Sequence, residues 1–420
     1  SLFAALLAAF IIQEGACSTT RPIRPLYLDI ETSKAPCMIP TLSDRPCSFT
    51  RHPSRSCVEV FVGIAASDYS ELLRASPAGA SVYAATGSAH SIASGRISFA
   101  LGLQGPCASI DTACSSGLVA THDASRALQL GECAGALAVG VNMIFSRAAS
   151  VAMAVAGMTS ARGRSHTFDR RADGYTRGEA CSVMAMRRAA VEHGSDHAQG
   201  ASAGVALRGS CVRQDGRSAS LTAPNGQAQQ ALLRAALADA ALPAAALGRA
   251  EAHGTGTALG DPIEAGSLVA TVLRAREAPL GLGGVKANIG HAEPAAGMTG
   301  LLKLVLGLRA SKAIPNAQLQ LLNPHVDGAL GGMRCVLSVA LTALVAEIGN
   351  GGVSSFGYSG TIVHAALACG RAGEGGALAI GSGKEDEAAS KEAMELYAPK
   401  FGSRVSDPPG GGVGVLPKTS

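Results

Sequence analysis

The sequence predicts an α/β fold, and three features of the chain lead to this prediction. Between residues 58 and about 367, alanine-rich helical stretches alternate with short β-type runs and glycine turns, which is the pattern of an α/β domain. Hydrophobic residues make up 47% of the chain and charged residues 16%, so a sizeable core can form and global disorder is excluded. Aromatic residues make up only 4%, so small aliphatic side chains must supply most of the burial.

The predicted strands are short apolar runs bounded by turn residues. They are residues 59–65, a strand that ends at 109–112, residues 136–141 and residues 280–287. Residues 350–367 combine a turn, which carries Phe356 and Gly357, with one further apolar strand.

The predicted helices have apolar residues at helical spacing and recognisable starting residues. They are residues 114–130, residues 225–241, a helix that starts at 261–262 and residues 300–308. Asn225 is the expected cap of the second helix, because its side chain can accept bonds from the first free backbone N–H groups. Asp261 is the expected cap of the third, with Pro262 in its first turn.

Composition divides the chain into three regions. Residues 1–57 are interrupted by prolines, which break any long helix or strand. Residues 58–368 form the predicted α/β domain. Residues 369–420 are rich in glycine, with one charged patch, and predict a disordered tail.

Charge and hydropathy exclude two kinds of partner. The 35 basic and 31 acidic residues leave a net charge of +4, which is too small and too scattered for a nucleic-acid surface. The apolar run at residues 2–12 is too short to span a bilayer, and no basic residue precedes it as in a secretory signal. We therefore expect neither nucleic-acid binding nor a transmembrane segment.

The cysteines do not indicate disulfides or metal. The chain has 11 of them, an odd number, without any C-x-x-C pair, which predicts small buried side chains in a reducing compartment. Cys37, Cys47 and Cys57 are spaced by ten residues, but no histidine pair at ligand spacing accompanies them. A zinc site is therefore disfavoured.

Cys114 is the candidate nucleophile. It lies at a predicted strand-to-helix junction in SIDTACSSGLVA, where free backbone N–H groups and the positive end of the helix dipole favour the thiolate. The same N–H groups could stabilise an oxyanion on an attacked carbonyl. The alternative interpretation is a small buried residue at a helix cap.

Two histidines lie in glycine-rich segments further along the chain. His253 opens HGTGT, whose glycines allow close approach of a ligand and whose threonine hydroxyls could bind it. His291 follows Lys286 by five residues in VKANIGHAEPAAG. Each histidine could instead be a structural hydrogen-bonding residue, Lys286 half of a buried ion pair, and Phe356 a core side chain.

A rival motif, G-A-S-A-G at residues 200–204, matches the G-x-S-x-G elbow of serine hydrolases with Ser202 as its serine. The elbow requires a helix after the serine, whereas the segment VALRGSCV that follows reads as a strand. A serine hydrolase is therefore disfavoured. No Walker A loop and no G-x-G-x-x-G element supports nucleotide binding.

Four motifs occur in order: DTACSSGL, EAHGTGT, VKANIGH and GVSSFGYSGT. Together with the connecting segments FVGIAASDYSELL, FDRRADGYTRGEA and SCVRQDGRSASLTAPNG, they resemble the β-ketoacyl synthase (ketosynthase) domain of modular, type I-like polyketide synthases, in the thiolase superfamily. The resemblance covers residues 58 to about 368. It implies a thiolase-like fold, with two βαβαβ-type halves in an α/β/α/β/α sandwich, usually as a homodimer.

The resemblance also implies an acyltransferase of the 3-oxoacyl-[acyl-carrier-protein] synthase type. Cys114 would accept an acyl group from a thioester, and a malonyl-type extender would lose carbon dioxide and attack it in a Claisen condensation. His253 and His291 would stabilise the enolate as N–H donors, with Lys286 orienting His291. The product would belong to polyketide or fatty acid biosynthesis.

Further residues and partners follow from the same resemblance. The amides of Cys114 and Phe356 would form the oxyanion hole, and Thr255 and Thr257 would contact the pantetheine arm, with Phe356 and Gly357 beside the substrate. No bound cofactor or metal is expected, because the leaving carboxylate supplies the driving force. The substrates would be carried on the phosphopantetheine of acyl carrier protein or on coenzyme A. A trans-acting acyltransferase would supply the extender, in the cytoplasm or a plastid.

The chain departs from the family pattern at its beginning. The family's V-G-M-A-C-R-F-P-like and D-P-Q-Q-R blocks are absent from residues 1–57, so we expect the N-terminal strands to be missing or divergent. The chain also begins at Ser1 rather than methionine, as a fragment would. Ile362 replaces a usual asparagine, and Gly117 a common serine. These departures leave a second hypothesis, a non-catalytic or truncated ketosynthase-like partner protein.

Overall fold

Strands and helices alternate along the chain in the computed structural model, which describes residues 30–32, 57–65, 68–188, 205–343 and 349–369. In these ranges the strands are β1 (Ile30–Thr32), β2 (Val58–Gly63), β3 (Cys107–Ile110), β4 (Gly135–Asn142), β5 (Ala180–Arg188), β6 (Val205–Gln214), β7 (Arg249–Glu251), β8 (Leu280–Gly283), β9 (Lys312–Ala313), β10 (Cys335–Leu337), β11 (Thr342–Ala343), β12 (Asn350–Phe356) and β13 (Thr361–Cys369). The helices are α1 (Asp68–Arg74), α2 (Ala84–Ser88), α3 (His90–Leu101), α4 (Ser116–Leu130), α5 (Arg147–Val155), α6 (Gly226–Asp239), α7 (Gly260–Thr271), α8 (Lys286–Ile289), α9 (Ala296–Arg309) and α10 (Pro324–Leu330). Short 3₁₀ turns cover Pro77–Ala80, Ala244–Ala246, Leu273–Ala275 and Glu293–Ala295.

The strands form two mixed sets. In the first half, β2 pairs in parallel with β3 and β4, and β5 runs antiparallel to β4. In the second half, β13 runs antiparallel to β6 and β12, while β7, β8 and β10 continue from β12 in parallel. The predicted α/β class is thus confirmed.

The two sets are joined at one edge. β1 pairs in parallel with both β5 and β6, which makes the hydrogen-bonded ladder continuous over eleven strands. The separate stacked sheets that the resemblance implies are therefore linked through three residues of the segment 1–57. The rest of that segment and residues 370–420 lie outside the described residues, so the predicted domain boundaries stay a prediction.

Helices α4 and α9 lie between the two strand sets and share a core with both. Leu118 and Leu128 of α4 and Leu301 of α9 are at most 1% exposed. They belong to the same cluster as Met184 of β5 and Val353 of β12. The buried members of this cluster are aliphatic, alanine and methionine side chains, as the low aromatic content predicts.

Most predicted strands and helices are confirmed within a few residues. β2, β4, α4 and α9 cover the predicted runs, and the turn with Phe356 and Gly357 joins β12 to β13. Asn225 caps α6 as expected, because its side chain accepts bonds from the backbone N–H groups of Gln227 and Ala228.

Two predictions were wrong. The strand expected at residues 280–287 ends at Gly283, where two successive glycines let the chain turn, and α8 begins at Lys286. Asp261 does not cap α7, which begins one residue earlier at Gly260. Its buried carboxylate accepts bonds from the backbone N–H groups of Phe168 and Gly256 instead.

The cysteines are less buried than expected. Of the eight in the described residues, only Cys114 and Cys133 are buried, while Cys107 and Cys181 are exposed. Cys37 and Cys47 lie outside the described ranges. Within those ranges no group of three or more histidine, cysteine or acidic residues could hold a metal, and no helix is long and apolar enough to cross a membrane.

Ser202, on which the hydrolase hypothesis rests, also lies outside the described residues. β6 begins at Val205, so a strand follows the serine closely where the nucleophile elbow requires a helix.

Strand β2 and helix α4 approach each other through two glycines. A Cβ atom on Gly63 would lie 2.4 Å from the backbone nitrogen of Gly117, closer than real Cβ atoms come to backbone. A Cβ on Gly117 would lie 2.8 Å from the carbonyl oxygen of Pro294. The serine common at position 117 would therefore need the backbone here to shift.

This contact gives a stability prediction. We expect Gly63→Ala to lower the free energy of unfolding by about 1–3 kcal/mol, because the helix must move away from the strand. The matched control is Gly95→Ala in α3, where a Cβ meets no atom within 4 Å. There alanine should stabilise the helix by about 0.5–1 kcal/mol. Denaturant unfolding of both variants measures the difference, and equal effects would contradict the close approach.

Candidate active site

Cys114 lies in a sharp turn between β3 and α4. Ala113 adopts φ 57°, a left-handed conformation that reverses the chain just before the cysteine. The turn is fixed by side chains on either side: the N–H of Ala113 donates to Asp111 Oδ1 (3.0 Å), and the N–H of Thr112 donates to Ser116 Oγ (2.9 Å). The carbonyl of Cys114 accepts a bond from Ser355 Oγ on β12 (2.8 Å). The cysteine is thus held between the two halves of the fold.

The Cys114 thiol is deeply buried, with 8% of the residue exposed. Burial raises its pKa to about 12. The positive charge of Lys286 and the backbone N–H groups of Tyr358 and of Cys114 itself act in the opposite direction but are weaker than burial. The expectation that the helix end yields a thiolate is therefore wrong for this structure, in which the thiol keeps its proton at neutral pH.

His253 follows β7 and is held by a carboxylate from helix α7. Glu264 accepts the backbone N–H groups of His253 (2.8 Å) and Gly254 (2.9 Å). The ring Nδ1 accepts the backbone N–H of Phe356 at 3.2 Å. Because Nδ1 is an acceptor, a neutral ring must carry its proton on Nε2.

His291 has the same tautomer for a similar reason. Its Nδ1 accepts the backbone N–H of Glu293 at 3.0 Å, so Nε2 carries the proton. The rings of His253 and His291 lie with centroids 5.7 Å apart at 84°, and the ring of Tyr175 packs edge-on against His291 at 4.7 Å. Burial, followed by the charge of Lys286, holds the pKa of both imidazoles well below its usual range. Both rings are therefore neutral donors.

Lys286 does not take the position that the resemblance implied. Its Nζ donates to the carbonyl of His253 and lies 3.4 Å from His253 Nδ1. No hydrogen bond to the ring of His291 occurs among the described contacts of Lys286, which acts on that ring through its charge. The lysine thus positions His253, a correction to the expected pairing with His291.

The turn between β12 and β13 covers Cys114, and this changes the expected oxyanion hole. The N–H of Phe356 is engaged by His253, so it is not free to bind an oxyanion as expected. The N–H groups that reach the sulfur are those of Tyr358 and of Cys114 itself. Gly357 precedes Tyr358, and a Cβ on it would come within 2.3 Å of the Thr112 carbonyl oxygen. The ring of Phe356 packs against His253 with centroids 5.3 Å apart.

Thr255 and Thr257 lie in the loop after His253. Their hydroxyl groups are 3.1 Å apart and half-buried, and Thr257 Oγ1 also accepts the N–H of Gly260 (3.1 Å). Gly254, before Thr255, and Gly256, between the two threonines, have φ values of 46° and 75°, which only glycine adopts without strain. Their contact with a pantetheine arm stays a prediction.

Sequence reasoning missed the charged residues that hold the site. Glu264 was not recognised, although it follows Asp261 by three residues on the first turns of α7, so both carboxylates can reach the histidine loop. Arg177 and Glu293, which form an ion pair beside His291, were also missed. Their positions in the sequence could have identified them, because Arg177 lies within the segment FDRRADGYTRGEA and Glu293 follows the motif VKANIGH by two residues.

The chain was then compared with known proteins. The N-terminal β-ketoacyl synthase domain profile matches residues 45–191, and the C-terminal domain profile of the same family matches residues 205–320. The spectinabilin polyketide synthase system protein NorC of Streptomyces orinoci is 41% identical over 310 residues, which cover 73% of this chain and 14% of that protein. Erythronolide synthase EryA2 of Saccharopolyspora erythraea is 40% identical over 305 residues, covering 73% of this chain and 8% of that protein.

Solved structures agree. The oxazolomycin ketosynthase domain OzmH KS7 of Streptomyces albus JA3453 superposes with a TM-score of 0.67 at 33% identity, over 76% of this chain and 56% of that one. The ketosynthase from module 6 of the bacillaene synthase of Bacillus subtilis 168 gives a TM-score of 0.65 at 30% identity, over 75% and 55% of the two chains. The chain thus spans about half of the solved chains and a small part of the curated relatives. Fold, motifs and both domain profiles lead to one conclusion: the chain belongs to the β-ketoacyl synthase family and is a ketosynthase domain of the polyketide synthase type.

Proposed function

We propose that the chain catalyses decarboxylative Claisen condensation between an acyl group on Cys114 and a malonyl-type thioester. The observation that carries this proposal is the pair of neutral imidazoles, both protonated on Nε2, with ring centroids 5.7 Å apart in a buried site beside the cysteine. Two such donors suit an oxygen that gains negative charge.

In the first step the Cys114 sulfur attacks an acyl thioester, and the carrier thiol leaves with the proton. The oxyanion on the attacked carbonyl is held by the backbone N–H groups of Cys114 and Tyr358, since Phe356 is engaged elsewhere. Because burial raises the pKa of the Cys114 thiol, the sulfur loses its proton during this step rather than before it.

In the second step the extender's carboxylate leaves as carbon dioxide. His253 and His291 donate from Nε2 to the thioester oxygen and stabilise the enolate, in a buried site where such bonds count for more than in water. The enolate carbon then attacks the acyl carbonyl on Cys114. The carbon–sulfur bond breaks, and the β-ketoacyl chain remains on the extender's thiol.

The substrates of this reaction are thioesters of the phosphopantetheine of acyl carrier protein or of coenzyme A. Thr255 and Thr257 contact the pantetheine arm, with Phe356 and Gly357 beside the reacting groups. The reaction needs no resident cofactor, because loss of the carboxylate supplies its driving force. A trans-acting acyltransferase loads the extender.

A homodimer is supported by strand β3. It ends the eleven-stranded ladder, and its Cys107 is exposed, so its outer edge can pair with a second copy.

The cytoplasm is the proposed compartment, since the bacterial relatives give no support to a plastid. A non-catalytic role is less favoured, because the charge of Lys286 reaches the Cys114 thiol and both imidazoles, all of them buried.

The function is tested by acyl transfer to the cysteine. Incubation with a ¹⁴C-labelled short acyl-coenzyme A should label Cys114, and Cys114→Ala should abolish the label. The matched control is Cys181→Ala, which removes an exposed cysteine on β5 and should label like the parent protein. Peptide mapping by mass spectrometry locates the acyl group. Folded parent protein that takes no label would refute the proposal.

The pH dependence of the thiol is a separate prediction. In the folded protein the pKa of Cys114 is raised to about 12, so its thiolate fraction should grow tenfold for each pH unit up to pH 10. A free cysteine has a pKa near 8.5, so its thiolate fraction levels off within the same range. Site-resolved iodoacetamide alkylation from pH 7.5 to 10 measures this, with glutathione as reference. A Cys114 rate that levels off with glutathione would contradict the effect of burial.

A further inference from the structure

We propose that Arg177 is a positioning residue, which holds His291 as a neutral Nε2–H donor through its ion pair with Glu293. This inference rests on the proposed function of His291. Arg177 lies in the TRGEA segment of the first half of the fold, whereas Glu293 follows His291 in the second, so the pair also joins the two halves.

The ion pair is two-pronged and largely buried. Arg177 Nε donates to Glu293 Oε1 at 2.7 Å and an Nη donates to Oε2 at 2.9 Å, with the two side chains 7% and 14% exposed. The other Nη donates to Ser150 Oγ of helix α5 at 2.8 Å. Two parallel hydrogen bonds fix both the position and the orientation of the carboxylate, whereas a single charge contact would only attract it.

The pair controls the group that sets the tautomer of His291. Glu293 adopts φ 43°, a left-handed conformation that a glutamate rarely takes without support. In this conformation its N–H lies 3.0 Å from His291 Nδ1. The Arg177 side chain therefore keeps the strained residue, and through it the imidazole proton, in place.

The backbone of His291 is held independently of that side chain. Its N–H donates to the Thr176 carbonyl at 2.7 Å, and its carbonyl accepts the N–H of Gly178 at 2.8 Å. These bonds need no arginine at position 177. A substitution there should release the side-chain contact while leaving the local backbone pairing intact.

Charges around His291 give the pair a second effect. The ring faces Lys286, Arg177, the neutral ring of His253 and the phenol of Tyr175, while Cys114 lies in the same site. Both cations lower the pKa of His291. Without Arg177, the nearby Glu293 carboxylate would be unpaired and would favour the imidazolium. Nδ1 would then carry a proton and could no longer accept the Glu293 N–H, so this hydrogen bond would be lost.

The test is the pH dependence of malonyl-coenzyme A decarboxylation, measured from pH 5 to 8.5 with acylation of Cys114 as a second readout. A residue that must be neutral loses activity as pH falls through its pKa, so a higher pKa moves the acid limb upward. For Arg177→Gln we expect the acid limb of the decarboxylation profile to lie at higher pH than in the parent protein, because one of the two cations that lower the pKa of His291 is gone. Acylation of Cys114 at pH 8 should stay within about twofold.

Glu293→Gln is the opposite variant, since it removes the negative charge and leaves Arg177 in place. Its acid limb should not move upward, and decarboxylation should fall roughly tenfold at every pH through loss of the two-pronged contact. The double variant should show a smaller upward shift than Arg177→Gln, because the unpaired carboxylate is removed while the loss of the arginine charge remains. If Arg177→Gln does not fold, Glu293→Gln compared with the parent still tests the inference, and an unchanged rate would overturn it.

The matched control is Arg126→Gln, which breaks an ion pair of similar length with Asp239 (2.8 Å) and whose charge is not among the causes that shift the pKa of His253 or His291. It should leave the pH profile unchanged. If Arg177→Gln lowers decarboxylation and acylation equally at all pH values, the residue is only structural and the inference fails. If the parent protein neither takes an acyl group nor decarboxylates, the proposed function fails instead.

Discussion

Removal of water from the site is the constraint on which the rest of the structure depends. Burial is the largest of the causes that raise the pKa of the Cys114 thiol to about 12 and that lower the pKa of His253 and His291. The charge of Lys286 works with burial on the imidazoles and against it on the thiol. One dehydrated site thus holds two uncharged N–H donors, the protonation state that the proposed stabilisation of an enolate requires.

This dehydration depends on close backbone contacts around the cysteine. Gly63 and Gly117 bring a strand and the cysteine helix together, and Gly357 does the same for the turn over Cys114. Ser355 on β12 binds the carbonyl of Cys114, which completes the link. Substitutions far from the sulfur can therefore alter the site, because its geometry belongs to both strand sets.

Charged side chains replace the hydrogen bonds to water that the buried backbone N–H groups lose. Glu264 accepts two backbone N–H groups beside His253, and Asp261 accepts those of Phe168 and Gly256. An unpaired polar group in such a place would cost about 1–3 kcal/mol, so each carboxylate fixes a loop as well as satisfying it. Beside His291, the ion pair of Arg177 and Glu293 has the same role, because it holds the residue whose N–H binds the Nδ1 of the imidazole.

The sequence by itself determined the α/β class, most strands and helices, and the family, because periodicity, capping residues and the motifs around Cys114, His253 and His291 are local properties of the chain. It did not determine which partner each group has. That Lys286 contacts His253, that the Phe356 N–H is engaged while that of Tyr358 reaches the sulfur, and that β1 joins the two strand sets were decided by tertiary structure. The tertiary structure also decided the protonation state of the Cys114 thiol. The nearby backbone N–H groups favour the thiolate, but burial by distant segments disfavours it more strongly. Local patterns fix which atoms are present, but desolvation and hydrogen-bond partners arise only when remote segments meet.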